Sequence, residues 1–194
     1  MIRRGLEGDS VTLRILWGIT GCGDKLEETV NIMRELRKKY DLEVTVVLST
    51  NGEIVVRMYN LWQSLQDNFR KVLVEKGPNA PFLVAPIQKG EYAFFLICPA
   101  TANTTAKIAY GIADSLISNC ASQGLKAGNR VYIYPADQKP GKIDTVLPDG
   151  KKLTLTMRDI DVENAEKLKR MKGITVISQP EDIEKIVKEY MDVE

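Results

Sequence analysis

Apolar residues along the chain follow two rhythms, and the switches between them mark the elements. Val11 to Ile19 (VTLRILWGI) is a β-branched and apolar run that halts at Thr20-Gly21-Cys22-Gly23, which predicts a buried strand entering a tight turn. From Asp24 to Lys39 the apolar residues Leu26, Val30, Met33 and Leu36 recur at spacings of four, three and three, with acidic residues early and Arg34, Arg37, Lys38 and Lys39 late. That periodicity, with a charge order favourable to the helix dipole, predicts a helix. Leu42 to Leu48 (LEVTVVL) reads as a second strand and Asn51 to Trp62 as a second helix.

Between Ser64 and Lys89 a short amphipathic piece, Leu65 to Glu75, gives way to Gly77-Pro78, Pro81 and Pro86. These bar a long helix or central strand, so a loop with minor elements is expected. Tyr92 to Cys98 (YAFFLIC) predicts a third buried strand ended by Pro99, Ala102 to about Gln123 one long Ala-rich helix, and Arg130 to Tyr134 (RVYIY) a fourth strand. Beyond Pro135, the alternating runs Ile143 to Leu147 and Lys152 to Met157 flank Pro148-Asp149-Gly150 and predict a β-hairpin. A helix over Val162 to Met171, a short strand Ile174 to Ile177 and a helix from Pro180 to Met191 follow. This alternation predicts an α/β fold, a parallel sheet with helices on both faces, in a single domain over residues 1–194 with residues 1–10 as a flexible extension.

Composition narrows function more than fold. The chain is 44% hydrophobic and 27% charged, ordinary for one globular core. Lys plus Arg number 27 against 26 Asp plus Glu, and a net charge of +1 gives no broad attraction for nucleic acid or an anionic membrane. No apolar run reaches the roughly 18 residues of a membrane span, and Met1 to Ser10 lacks the apolar segment of a secretory signal, so a cytoplasmic protein is expected. Histidine is absent, which excludes Ser-His-Asp and Cys-His catalysis and His-ligated zinc. Cys22, Cys98 and Cys120 lie 76 and 22 residues apart, so no C-x-x-C pair can hold a cluster or zinc, and no metal site is expected. Any redox chemistry then belongs to a non-covalently bound cofactor.

Ligands of an open parallel sheet sit beyond the carboxyl ends of its strands. Gly18-Ile19-Thr20-Gly21-Cys22-Gly23 offers glycines and a hydroxyl that let backbone N–H groups approach a phosphate, or else is a plain Gly-rich turn. It matches neither G-x-G-x-x-G nor a Walker loop. Ser49-Thr50-Asn51-Gly52 sets hydroxyls and an amide at a helix start, where N-capping alone is the commoner use. In Pro99-Ala100-Thr101-Ala102-Asn103-Thr104-Thr105, small and hydroxylic residues crowd between a very apolar strand and a helix. Capping accounts for one or two of them, and a close-fitting flat ligand for the rest.

Pro99 to Asn119 (PATANTTAKIAYGIADSLISN) resembles the P-A-S-A-N-T motif and following helix of the flavoprotein family that includes phosphopantothenoylcysteine decarboxylases and lantibiotic peptidyl-cysteine decarboxylases, with Thr101 where serine is frequent. Trp17 to Lys25 and Lys151 to Met171 resemble its archaeoflavoprotein branch, and the likeness runs over about residues 12–190. It implies a three-layer, flavodoxin-like or Rossmann-like archaeal subunit that binds FMN, forms a trimer-based homo-oligomer and serves electron transfer or reduction with ferredoxin as donor. By position it implies that Gly18, Thr20 and Gly21 line the phosphate or ribityl side, that Ser49 and Thr50 contact the phosphate, and that Ala100, Thr101 and Asn103 face the isoalloxazine and ribityl chain. No dinucleotide fingerprint follows the first strand, and Ser49 rather than an acidic residue ends the second, which favours FMN over FAD or NAD.

Two departures redirect the chemistry. The decarboxylases use a histidine after the second strand, and their P-x-M-N-x-x-M-W clasp would fall at Pro135-Ala136-Asp137-Gln138-Lys139-Pro140, which keeps little beyond the proline. An FMN-dependent decarboxylase or transferase is therefore disfavoured, and a dihydromethanopterin reductase is the leading alternative to an electron-transfer protein. Cys22 is open to a lowered pKa at its helix start, with a small structural side chain the better reading. Tyr59 and Trp62 suit packing more than stacking. Lys38-Lys39 and the 167–172 run KLKRMK read as solvated charge ahead of an acidic-partner dock.

Overall fold

The computed structural model describes residues 12–192, and the extension expected over residues 1–10 lies outside them. Six parallel strands make the central sheet: β1 (Leu13–Ile19), β2 (Leu42–Leu48), β3 (Lys71–Val74), β4 (Phe94–Ala100), β5 (Arg130–Pro135) and, after the two hairpin strands β6 (Lys142–Val146) and β7 (Lys152–Thr156), β8 (Ile174–Val176). Their spatial order is β3-β2-β1-β4-β5-β8. Strand order reverses between β1 and β4, which opens a crevice at their carboxyl ends.

Both faces of the sheet are covered, which is why β1, β2 and β4 read as continuous apolar runs. On one face Trp17, Cys98, Tyr132 and Tyr134 pack with α1 (Leu26–Lys39), α2 (Thr50–Met58), α3 (Trp62–Asn68) and α8 (Asp182–Met191). On the other, Leu16, Phe95, Ile97 and Ala100 pack with α4 (Val84–Gln88), α5 (Ala102–Ala109), α6 (Leu116–Lys126) and Leu168 of α7 (Asp159–Lys169). Helix α1 buries Leu26, Val30, Met33 and Leu36, the periodic set.

Three elements differ from the sequence reading, and β4 also continues through Pro99 to Ala100, past the proline expected to end it. The single helix expected over 102–123 is two helices, because Gly111 adopts φ +72 and the reciprocal Ser115–Ser118 capping box restarts the chain as α6. The second helix stops at Met58, with Asn60 at φ 57, and Trp62 opens α3. β3 replaces part of an expected loop, pairing only with β2 at the sheet edge. The hairpin is as expected, with Ile143 opposite Leu155 and Thr145 opposite Leu153.

Candidate functional site

Loop hydrogen bonds stitch the carboxyl ends of β2, β1, β4 and β5 together. Ser49 N–H donates to the Ile19 carbonyl (3.0 Å), Thr20 N–H to Pro99 (3.2 Å) and Ala136 N–H to Ala100 (3.0 Å). Thr20 is the central tie. Only 1% exposed, its hydroxyl donates to the Pro99 carbonyl (3.0 Å) and accepts from Thr101 N–H (2.8 Å). One side chain thus fixes the spacing between the first loop and the start of α5.

Helices α2 and α5 begin beside this tie on opposite faces of the sheet. Ser49 caps α2 by accepting from Gly52 N–H (2.9 Å), and Thr101 caps α5 by accepting from Thr104 N–H (3.2 Å). Thr50 N–H donates to Glu75 Oε2 (3.2 Å), while Glu75 Oε1 accepts from Leu116 N–H (2.7 Å) at the start of α6. Asn51 N–H and Asn103 N–H keep no acceptor among the described residues, and the exposed Asn103 side chain has no partner there either. Close backbone contact sets the shape. A Cβ on Gly21 would stand 2.7 Å from Asn51 Cβ, and one on Gly52 would stand 2.4 Å from the Ile19 carbonyl oxygen.

Seven of the eight residues singled out from the sequence meet at this edge; Gly18, inside β1, lies beneath it. Gly21, Ser49 and Thr101 are half-buried and Thr50 and Asn103 exposed, so these five form the surface. Gly18 and Ala100 are buried beneath it; a Cβ on Gly18 would press the Phe95 ring at 3.1 Å.

The family model described as Flavoprotein matches residues 4–193. This chain belongs to that family. Uncharacterized protein MJ0730 of Methanocaldococcus jannaschii is 58% identical over 181 residues, 93% of this chain and 97% of that protein. Dihydromethanopterin reductase (acceptor) of the same organism is 36% identical over 162 residues, 78% of this chain and 66% of that protein. Burkholderia xenovorans DmrB, solved in complex with FMN as a cubic protein cage for redox transfer, superposes with a TM-score of 0.79 at 26% identity, covering 92% of this chain and 95% of its own.

Several groups of the flavoprotein were missed in the sequence. The buried Tyr134 hydroxyl donates to Asp24 Oδ2 at 3.2 Å, across 110 residues of chain, and no local pattern links the two. Burial raises the Asp24 carboxyl above its ordinary value and also pushes the Tyr134 phenol up. Asp137, just past β5, is raised by burial and by neighbouring Asp161, with the Ala102 amide opposing. Burial pushes the Cys22 thiol up to about 12, so the lowered pKa open to it is not realised and it stays neutral. Tyr59 donates to the Val146 carbonyl (2.8 Å) and Trp62 lies under the Arg57 guanidinium at 3.8 Å, so both are engaged within the chain. Among the described residues no His, Cys, Asp and Glu group could hold a metal, and no helix is long and apolar enough to cross a membrane.

Proposed function

We propose that this flavoprotein binds FMN along the β1–β4 crevice and reduces a pterin-class acceptor, with ferredoxin as electron donor and a trimer-based homo-oligomer as its working form. The observation that carries the reading is the unclaimed donor set on either side of the Thr20 tie: Asn51 N–H, Asn103 N–H and the Asn103 side-chain amide. Free N–H groups at a helix start favour a phosphate, and an amide that both donates and accepts suits ribityl hydroxyls or a flavin edge. These residues fit FMN. When bound, FMN supplies the redox chemistry.

The chain's own residues bind and orient. Gly21, Ser49 and Thr50 take the phosphate and ribityl side, with Thr50 contributing its hydroxyl because Glu75 already holds its N–H. Thr101 and Asn103 face the ring and ribityl chain, Gly18 and Ala100 give a floor without bulk, and Thr20 sets the width of the crevice. Reduction is favoured over decarboxylation because the chain has no histidine and because its relative at 36% identity is a dihydromethanopterin reductase.

The purified protein should be yellow, and its extracted chromophore should run as FMN on chromatography; FAD or no flavin ends the reading. Reduced ferredoxin should bleach the flavin, and dihydromethanopterin should restore its colour. Carbon dioxide released stoichiometrically from a cysteine-terminated substrate would instead establish the decarboxylase.

A further inference from the structure

Reduction of a heterocycle moves protons as well as electrons, and this chain has no histidine to handle them. The groups left at the carboxyl edge of the sheet are carboxyls, phenols, thiols and the Lys25 ammonium, whose proton Glu28 holds by a 2.6 Å ion pair. Asp24 lies in the loop leading from the Thr20 tie into α1, and Tyr134 lies in β5 beside the end of β4. Tyr134 anchors Asp24 Oδ2 at 3.2 Å, while Oδ1 has no partner among the described residues and the carboxyl is half-buried. One oxygen is fixed and the other is offered.

We propose that Asp24 is a catalytic acid of this flavoprotein and that Tyr134 is the residue that positions it. This rests on the reductase reading above. In the assigned step the C=N bond of a dihydropterin-class acceptor is reduced. Two electrons and one proton from the reduced flavin reach the carbon, the π bond breaks, and the nitrogen takes its proton from the Asp24 carboxyl. One C–H and one N–H bond form and the flavin is oxidised by two electrons. The Asp24 carboxylate regains its proton from water, with Tyr134 keeping its own O–H.

The surroundings decide which group can act. Facing Asp24 are Cys22 in its loop, Lys25 and Glu28 at the start of α1, Tyr59 after α2, Cys98 from β4, Tyr134 from β5 and Asp137 beyond it. Burial raises Asp24 and Glu28 adds to it, while the Tyr134 hydrogen bond and Lys25 oppose. Burial holds both thiols up at about 12, and it raises both phenols. Glu28 is lowered by Glu181 and Lys25. Asp137 is the other raised carboxyl in this set, which makes it the control.

Two readouts test the assignment. In carboxyl 13C NMR titrations, with the resonance assigned by its loss in Asp24→Asn, Asp24 should titrate above the ordinary aspartate range. Tyr134→Phe should raise it further, because the lost hydrogen bond favours the ionised form. In FMN-loaded protein, Asp24→Asn should slow single-turnover oxidation by a dihydropterin about 10²–10⁴-fold and abolish the fall in rate toward high pH, with the FMN dissociation constant held within about threefold. Asp137→Asn should keep that fall. An Asp24 resonance at the ordinary position, or an unchanged pH profile in Asp24→Asn, overturns the assignment while the reductase reading stands. A wild-type protein that binds no FMN overturns both.

Discussion

A hydroxyl that is 1% exposed and bonded to the ends of two strands acts by holding them, so Thr20 can be tested apart from any ligand. Thr20→Val keeps the shape and leaves Thr101 N–H without its acceptor. Stability in denaturant melts of the FMN-free protein should fall by about 1–3 kcal/mol, the usual cost of an orphaned buried polar group. Asn103 is the converse case, exposed and free of the capping role that Thr101 fills. Asn103→Ala should leave the melts within about 0.5 kcal/mol while weakening FMN retention by about 1–3 kcal/mol. Full flavin occupancy through dialysis would reduce Asn103 to a surface residue. Asp24 carries a pH signature of its own. Its folded-state pKa is raised, so its contribution to stability is full below the unfolded aspartate value near pH 4 and is lost as pH rises through the folded value. Asp24→Asn should therefore raise Tm at pH 7 and give no such gain below about pH 4 in calorimetric scans.

At the scale of elements, what could be read from the sequence depended on how each piece is buried. LEVTVVL and YAFFLIC announced themselves because both faces of their strands are covered, whereas β3 is one exposed and three half-buried residues with a single neighbour and lacks the unbroken run that marks a core strand. The break between α5 and α6 turns on a left-handed Gly111 and a Ser115–Ser118 box, signals that an Ala-rich periodicity overran. The residues proposed for the phosphate and ring sides could be picked out because each group is contiguous, at 18–21, 49–50 and 100–103. Asp24 with Tyr134, and Glu75 with Thr50 and Leu116, were not, since only the fold brings them together. Gly52 shows the same conflict between local and tertiary preference. Alanine favours a helix over glycine by about 1 kcal/mol, yet its Cβ would stand 2.4 Å from the Ile19 carbonyl, which is backbone and cannot turn aside. Gly52→Ala should lower Tm in circular-dichroism melts and loosen FMN; a higher Tm would show that α2 shifts freely.

For the whole molecule, the hairpin of β6 and β7 stands outside the main sheet. Ile143, Thr145, Leu153 and Leu155 share one of its faces, and Leu153 and Leu155 are 40% and 41% exposed. A two-stranded hairpin is marginal in water by itself. One hydrogen bond, from Tyr59 to Val146, ties its first strand to the end of α2, near the first loop, where a Cβ on Gly23 would meet the Tyr59 hydroxyl at 2.3 Å. We predict that in the proposed assembly a neighbouring subunit covers this apolar face and gives the hairpin the third layer it lacks. A protein carrying both Leu153→Asp and Leu155→Asp should then keep its far-ultraviolet dichroism, because the main sheet and both core clusters are untouched, while its mass in size-exclusion light scattering falls by whole subunits. Flavin occupancy should fall with it, since the hairpin is joined through Tyr59 to the loop that borders the crevice. An unchanged multimer in the double variant would move the subunit contact elsewhere on the surface, and a monomeric wild type would remove the assembly from the proposed function altogether.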